Sequence, residues 1–433
     1  MGRRHFFRRH PECLRPILHT PCTSGGLKRM EPLSLMLVGC GMMGARHLRG
    51  YGELERVRPG SVRLRAVCDP IQDVAGAVAA EAEELLGYRP PVYCSPEAAL
   101  AGEPGIEAAD LVTGNRSHDP IAIPLLESGV HCLVEKPLGL TVARAQSIIR
   151  AARESDRVLA VAENNRRDPM NRLVCHILDQ GLIGEPNLVL MTSMTVGRRI
   201  VATPWRHSTA NGGLALDVGI HLGYMLEAFL GPIASVSATS RRVWPTRLGP
   251  GPDGSDIEYE VESDDVFVAQ LIFESGVRGS WVMHFGATGL GAFQRTIWGA
   301  AGALETPSDR GGATPRVRLE GETLEGDALV ERLPDFRLNE IEAQLWGQRP
   351  SGYQLPYPET DRRLIASEVA DFIEAIRTGR EPEVPGELGL RSVAIIWALL
   401  ESAASGCPVT LSEVLSGEVC EAQGEAEAAG ELV

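Results

Sequence analysis

Apolar runs alternate with amphipathic stretches over residues 33–162, and the two periods predict strands and helices in turn. The predicted strands are 33–38, 62–69, 106–112, 130–134 and 158–162, and the predicted helices between them include 72–86 and 118–128. Repeated strand–helix–strand units with apolar strands predict a parallel, doubly wound sheet. Ligands of such a sheet bind at the carboxyl ends of its strands.

The pattern changes after a predicted helix at 170–180, from about residue 186. Strand-like segments joined by Gly, Pro and Asn turns follow at 187–196, 233–244, 265–273, 277–285 and 294–298, before helices at 363–378 and 390–405. This order predicts a second, α+β domain with a large, mostly antiparallel open sheet. We therefore divide the chain into an extension (1–32), a first domain (33–157), a second domain (158–411) and an acidic tail (412–433).

A glycine-rich turn joins the first strand to the first helix. Its sequence is Gly39-Cys40-Gly41-Met42-Met43-Gly44. In a G-x-G-x-x-G turn the glycines permit a tight bend, close approach of a pyrophosphate and close helix packing. A second match at 249–254 contains two prolines and is interpreted as a loop. Asp69 ends the second strand, where a carboxylate would hold the ribose hydroxyls of a dinucleotide; its alternative role is a helix N-cap.

Polar residues follow three other predicted strands. They are Asn115 and His118, Glu135 and Lys136 before Pro137, and Asn165 and Arg166. Because the carboxyl ends of parallel strands share one edge, the first two groups are candidate cofactor contacts and Lys136 is placed beside a nicotinamide. Asn165 and Arg166 are weaker candidates for substrate contacts, with ordinary surface or packing roles as the alternative.

One predicted helix carries an acid–base pair. Asp217 and His221 are four residues apart after Gly212-Gly213, so they share a helix face. A histidine is the natural base at neutral pH, and a nearby carboxylate orients it or stabilises its charged form. No further ligand accompanies the pair at metal spacing, so no metal site is predicted.

These motifs together resemble the glucose–fructose oxidoreductase/inositol dehydrogenase/MocA (Gfo/Idh/MocA) family over about residues 34–411. The resemblance rests on the glycine turn, Cys68-Asp69-Pro70, Glu135-Lys136-Pro137, Trp205-Arg206, Gly212-Gly213, Asp217 to His221 and Asp371-Phe372-Ile373, in family order. It implies an N-terminal Rossmann domain and a C-terminal domain often used for oligomer contacts. It also implies Lys136, Asp217 and His221 as catalytic residues. Tyr224, where the family often has an acid, and a long segment at 313–362 depart from the family pattern.

Composition and charge narrow the functional class. The chain has 433 residues, of which 44% are hydrophobic, and a formal net charge of −15, which disfavours binding to nucleic acid or an anionic membrane. No run of about 20 apolar residues predicts a membrane span. Nine scattered cysteines without C-x-x-C fit a reducing, cytoplasmic compartment.

The two ends of the chain differ from the middle. Residues 1–30 are basic and residues 412–433 are acidic. Because neither segment shows apolar periodicity, both are predicted to be poorly ordered and dispensable. An Arg3-Arg4 export signal is not supported, because no apolar region follows.

The sequence therefore predicts an NAD-dependent oxidoreductase that acts on a secondary alcohol of a sugar, cyclitol or related polyol. NAD is expected over NADP because Asp69 would repel a 2′-phosphate. The predicted cofactor contacts are Gly39, Gly41, Met42, Met43, Gly44, Asp69, Asn115, His118, Glu135 and Lys136. The weaker substrate candidates are Asn165, Arg166, Trp205 and Arg206. A homo-oligomer, dimer or tetramer, is expected. Two alternatives stay open: a redox-neutral hydrolase or epimerase that uses bound NAD transiently, and a non-catalytic nucleotide-binding sensor.

Overall fold

The computed structural model describes residues 31–251 and 253–431. The prediction of a disordered extension therefore lies almost wholly outside the described residues. The strands are β1 Leu33–Val38, β2 Val62–Cys68, β3 Val92–Tyr93, β4 Ala108–Leu111, β5 His131–Glu135, β6 Leu159–Ala162, β7 Pro186–Val196, β8 Ile233–Arg241, β9 Thr246–Pro250, β10 Asp256–Glu260, β11 Val266–Phe273, β12 Arg278–Ala287, β13 Ala292–Gly299, β14 Gly302–Thr306, β15 Arg316–Leu319, β16 Glu322–Leu324 and β17 Val409–Thr410.

The α-helices lie between and after these strands. They are α1 Met42–Val57, α2 Gln72–Leu86, α3 Pro96–Gly102, α4 His118–Glu127, α5 Val142–Glu154, α6 Pro169–Asp179, α7 Ile220–Leu230, α8 Gly326–Glu331, α9 Glu340–Trp346, α10 Tyr357–Thr378, α11 Gly386–Ser405, α12 Leu411–Ser416 and α13 Glu421–Glu431.

The first six strands form one parallel sheet in the order β3-β2-β1-β4-β5-β6. Strands β4 and β6 are buried along their whole length, as expected of a sheet covered by helices on both faces. The prediction of a doubly wound parallel sheet is confirmed. β6 belongs to this sheet, so the sheet extends past the predicted domain boundary at residue 157.

The second sheet has nine strands in the order β16-β15-β14-β13-β7-β12-β11-β8-β17. Its neighbours are antiparallel except for β7 and β12, which run parallel. Side chains along β11 alternate between buried and outward-facing positions, which is the period-two pattern of a sheet with one covered face. The predicted large, mostly antiparallel sheet is confirmed.

Two late helices tie the halves of the chain together. α10 packs on α1, where Gly50 leaves room for Ile365: a β-carbon at Gly50 would lie 2.4 Å from the Ile365 side chain. In α11, Trp397 Nε1 donates to the carbonyl of Leu140 at 2.9 Å. The segments 209–230 and 386–405 are long and apolar enough to span a membrane by composition alone, but 89% and 61% of their apolar windows are buried inside this fold. Burial on this scale indicates core helices.

The prediction that residues 412–433 form a poorly ordered tail is wrong for the described part. α13 packs on the body of the protein with Ala426 and Gln423 buried. Glu427 pairs with Arg144 at 2.6 Å, and Gln423 Oε1 accepts from the backbone N–H of Val142 at 3.0 Å. The carboxylate of Glu401 accepts from the first backbone N–H groups of α13. These contacts come from residues far along the chain, so the local sequence pattern could not reveal them.

Candidate active site

The glycine turn has the geometry that a dinucleotide pyrophosphate requires. Gly39 has φ +94°, and a β-carbon there would lie 2.8 Å from the carbonyl oxygen of Val112. A β-carbon at Gly44 would lie 2.1 Å from the carbonyl oxygen of Gly39, so both positions exclude a side chain. At Gly41, by contrast, an added β-carbon meets nothing within 4 Å. Gly41 also precedes α1 without a side-chain cap, which leaves backbone N–H groups facing open space. The turn fits a pyrophosphate.

Asp69 lies beside this turn, at the end of β2. Its Oδ2 accepts from the backbone N–H of Cys40 and its Oδ1 from that of Ile71, both at 2.9 Å. The carboxylate is partly exposed, so lone pairs remain for the hydroxyls of a ribose. The helix N-cap alternative is not what the geometry shows, because Ile71 precedes α2 and no side chain caps that helix.

A cleft of about 300 Å³ opens between the carboxyl edge of the parallel sheet and the π-helical turn before α7. That turn, Ala215–Gly219, carries Asp217, and His221 follows in the first turn of α7. Ten of the predicted site residues line the cleft: Met42, Met43, Asn115, Glu135, Lys136, Asn165, Trp205, Arg206, Asp217 and His221. Met42 and His221, which are 179 positions apart in the sequence, therefore meet in one site.

Lys136 and Asp217 contact each other across the cleft. Lys136 Nζ donates to the backbone carbonyl of Asp217 at 2.7 Å and lies 3.4 Å from its Oδ1. Arg206 also pairs with Asp217. Burial raises the pKa of Asp217, but the charges of Lys136 and Arg206 outweigh burial and hold that pKa below its ordinary value. Asp217 is therefore an anion that fixes two cations, and its partner is Lys136 rather than His221.

The carboxylate that contacts His221 is Glu163. His221 Nδ1 lies 2.7 Å from Glu163 Oε2, and Glu163 is fully buried. The other oxygen, Oε1, accepts from the backbone N–H of Asn165 at 2.9 Å. With Nδ1 donating to a carboxylate, Nε2 of the neutral ring is the free acceptor. This pairing leaves a base at Nε2 of a side chain that lines the cleft.

A buried polar chain lies behind Lys136. Glu135 Oε2 accepts from the backbone N–H of Lys136 at 3.0 Å, and His47 Nε2 lies 3.2 Å from Glu135 Oε1. His47 Nδ1 lies 2.8 Å from Asp110 Oδ2. Burial raises the pKa of Glu135, but the hydrogen bond from His47 and the charge of Lys136 hold it at about 2. Glu135 therefore stays ionised and anchors the backbone that carries Lys136.

Apart from the three glycines of the turn and Asp69, two predicted contacts do not line the cleft. His118 is buried, with Nδ1 2.8 Å from the carbonyl oxygen of Pro137 and Nε2 3.2 Å from that of Thr113. It joins two loops and does not itself line the cleft. Arg166 is also buried and lies 4.0 Å from Glu383 instead of lining the cleft. Both positions follow strand ends, but their side chains point into the protein.

Several residues of the cleft, among them Arg46, Asn164 and Arg310, and the partner of His221, Glu163, were not among the predicted site residues. Glu163 ends the apolar run of β6, which is the same signal that singled out Asp69 and could have found it. Arg310 has φ +62°, a left-handed conformation that a non-glycine residue adopts at some energetic cost. Its side chain donates to Asn165 Oδ1 at 2.7 Å and to Tyr357 Oη at 2.8 Å. It comes from a loop whose position no local pattern indicates.

Two family models match most of the chain. Residues 33–163 match "Oxidoreductase family, NAD-binding Rossmann fold", and residues 176–411 match "Oxidoreductase family, C-terminal alpha/beta domain", both of Gfo/Idh/MocA. The chain belongs to the Gfo/Idh/MocA oxidoreductase family. The predicted family, its fold and NAD as its cofactor are thereby confirmed, and the protein is an NAD-dependent oxidoreductase.

Individual relatives agree with this assignment. The chain is similar to a levoglucosan dehydrogenase of Pseudarthrobacter phenanthrenivorans (28% identity; 58% of this chain, 67% of the relative). It is also similar to a myo-inositol 2-dehydrogenase of Thermotoga maritima (23% identity; 84% and 98%). Among solved structures, an NAD-binding oxidoreductase of Klebsiella pneumoniae superimposes with a TM-score of 0.72 at 25% identity, covering 88% of this chain and 99% of that one.

Proposed function

We propose that the protein oxidises a secondary alcohol of a polyhydroxylated small molecule, a sugar or cyclitol, with NAD as the acceptor. The observation that carries this proposal is the cleft itself, which is lined by His221, backed by the buried Glu163, and by the Lys136–Asp217 pair. Its polar lining combines cations, among them Lys136 and Arg310, with the carboxylates Glu135, Asp217 and Asp309. A polyol, whose hydroxyl groups both donate and accept hydrogen bonds, matches such a lining.

The residues fit complementary tasks in alcohol oxidation. His221 Nε2 accepts the hydroxyl proton, and buried Glu163 stabilises the imidazolium that results. Lys136 Nζ donates a hydrogen bond to the oxygen as negative charge develops on it. Asp217 holds Lys136 and Arg206 in place. The chemistry that NAD supplies when bound is acceptance of a hydride from the substrate carbon. The glycine turn, including Met42 and Met43, and Asp69 would hold its pyrophosphate and ribose, and Asn115 and Glu135 are the further candidate contacts.

A polyol panel tests this proposal directly. Purified protein is incubated with NAD and with sugars, cyclitols and anhydrosugars, and NADH absorbance and substrate loss are both followed. NADH formation with one polyol supports the proposal. Substrate loss without NADH would replace it with the redox-neutral hydrolase or epimerase. Mass spectrometry of the purified protein identifies any small molecule that it retains, and that compound joins the panel. If the protein binds NAD but turns over no compound of the panel, the result would favour a non-catalytic nucleotide-binding sensor.

Variants then test the roles of the three predicted catalytic residues. Lys136→Met, Asp217→Asn and His221→Ala should each lower turnover by about 10²–10⁴, the usual contribution of a positioned acid–base group. Their dissociation constants for NAD should stay near the wild-type value, because none lies in the glycine turn. His284→Ala is a matched control, since His284 is on β12 and does not line the cleft. Normal turnover in His221→Ala would contradict the assignment.

We also propose that the protein is cytoplasmic and forms a homo-oligomer, a dimer or tetramer, through the open face of the nine-stranded sheet. Leu188, Val268 and Ile272 are 36%, 47% and 41% exposed there. The register pairs Ile272 with Arg278 and Arg278 with Leu188, so Leu188 and Ile272 share this face. Size-exclusion chromatography with light scattering measures the assembly, and a monomeric mass at micromolar concentration would contradict it.

A further inference from the structure

The C-terminal helix α13 lies beyond the part of the chain that the family models match, which ends at residue 411. It packs on the segment Thr209–Asn211, which precedes the Gly212-Gly213 turn and the π-helical turn of Asp217. α13 is anchored independently of this contact, through Glu401 at its N-terminus and through the Glu427–Arg144 ion pair. It is therefore a fixed support for a segment that borders the active site.

Arg116 joins α13 to that segment. Its Nη1 donates to the carbonyl of Ala210 at 2.8 Å and to the carbonyl of Ala426 in α13 at 3.2 Å. Its guanidinium lies against the backbone of Gly430, because a β-carbon there would be 1.9 Å from Arg116 Cζ. Gly430 thus makes the space that Arg116 occupies, and the side chain is held between two elements.

The neighbouring residue, Asn115, contacts the same segment and also lines the cleft. Asn115 Nδ2 donates to the carbonyl of Asn211 at 2.8 Å, so the amide oxygen is turned the other way. That oxygen is buried and has no partner among the described residues, although Asn115 lines the cleft. A buried acceptor without a partner is costly unless a ligand satisfies it. Amide or hydroxyl donors of a bound NAD are groups of the kind that could satisfy it.

We propose that Arg116 is a positioning residue through which α13 holds the segment Thr209–Asn211, and through it Asn115, in the orientation that binds NAD. The proposal rests on NAD binding by this chain. It assigns a role to residues 421–431 that the sequence pattern did not indicate. The predicted consequence is a change in affinity for NAD rather than in the chemical step, since Arg116 touches none of Lys136, Asp217 and His221.

Gly430→Ala tests the proposal. The new methyl group forces the guanidinium of Arg116 away, and the atoms that must move are the far end of a flexible side chain. Alanine favours a helix relative to glycine, so a merely structural role predicts unchanged or higher stability. We expect the dissociation constant for NAD to rise about two- to tenfold, which corresponds to the loss of about one hydrogen bond. kcat at saturating NAD should be unchanged.

A matched control lies in the same helix, and a second variant tests the role of Arg116 directly. Gly424→Ala makes the same substitution where nothing lies within 4 Å, and it should bind NAD like the wild type. Arg116→Ala should reproduce the weaker binding of Gly430→Ala while α13 keeps its other anchors. If Gly430→Ala lowers the Tm of the NAD-free protein, the affinity of Arg116→Ala decides. Wild-type affinity in both variants would overturn the positioning role, whereas a wild-type protein that does not bind NAD would overturn the proposed function.

Discussion

Replacing Glu163 by Gln tests the base of the proposed mechanism most directly. The carboxylate has two acceptor oxygens, and both are used: Oε2 by His221 Nδ1 and Oε1 by the backbone N–H of Asn165. An amide of the same shape has one oxygen and one NH₂ group. If its oxygen keeps the bond from Asn165, its NH₂ faces His221 Nδ1. The ring must then accept at Nδ1 and carry its proton at Nε2, where it no longer acts as a base.

The magnitude follows from two effects. A hydrogen bond to a charged group contributes about 1.5–3 kcal/mol, so losing the Glu163 contact to the developing imidazolium slows turnover by about 10- to 150-fold. The wrong tautomer adds to this, and in a comparable His–carboxylate pair it lowers kcat by about 10⁴. We therefore expect Glu163→Gln to lower kcat by about 10²–10⁴, close to the effect of His221→Ala. Because the two residues act as one unit, the double variant should be no slower than His221→Ala alone.

The assay is steady-state kinetics with the substrate found in the polyol panel, together with NAD binding and Tm of the same preparations. NAD affinity should stay at the wild-type value, because Glu163 contacts neither Asp69 nor the glycine turn. A multiplicative loss in the double variant would show that the two residues act independently. Wild-type kcat in Glu163→Gln, in a folded protein that binds NAD, would refute the argument that Glu163 sets the tautomer of His221.

Three further predictions concern the cofactor, the acid sensitivity and the C-terminus. Asp69→Ala should weaken NAD binding and reduce the preference of the protein for NAD over NADP. If a titration showed that the wild type binds NADP more tightly than NAD, the role of Asp69 would be contradicted. Burial lowers the pKa of His207 from 6.5 to about 4. As pH falls, the unfolded state therefore binds the proton before the folded state does. The free energy of unfolding loses nothing to His207 above pH 6.5 and decreases as pH falls from 6.5 toward 4. His207→Gln, which keeps an acceptor for the N–H of Val201, should flatten the fall of Tm over that range; an unchanged slope would refute this. Deleting residues 412–433 should lower Tm by at least about 2–4 °C, the shift that a loss of about 1 kcal/mol produces in a domain of this size. An unchanged Tm would show that α12 and α13 do not support the core.

The strands and helices that hydrophobic periodicity specifies, and the glycine-rich turn between β1 and α1, were predictable from the sequence. The alternation of apolar strands with amphipathic helices is a local property, and it placed Asp69 and Lys136 correctly at strand ends. The direction of a side chain after a strand end is not local. His118 and Arg166 follow strand ends, as Asn115 and Asn165 do. Their side chains nevertheless point into the interior, where His118 contacts the carbonyl oxygen of Pro137 and Arg166 lies near Glu383.

The partner of His221 illustrates the same limit at the proposed catalytic centre. Spacing made Asp217 the expected partner, because residues four apart share a face of an α-helix. Asp217 instead lies in a π-helical turn, whose wider spacing removes that regularity, and it faces Lys136 and Arg206. The position beside His221 is filled by Glu163, which reaches it from the end of β6. In the proposed mechanism, a carboxylate fixed by the parallel sheet thus orients a base carried on a helix of the other half of the chain. Catalysis by that mechanism depends on how precisely α7 packs on the sheet. Substitutions at that contact should therefore lower kcat even where they leave both NAD binding and the individual site residues unchanged.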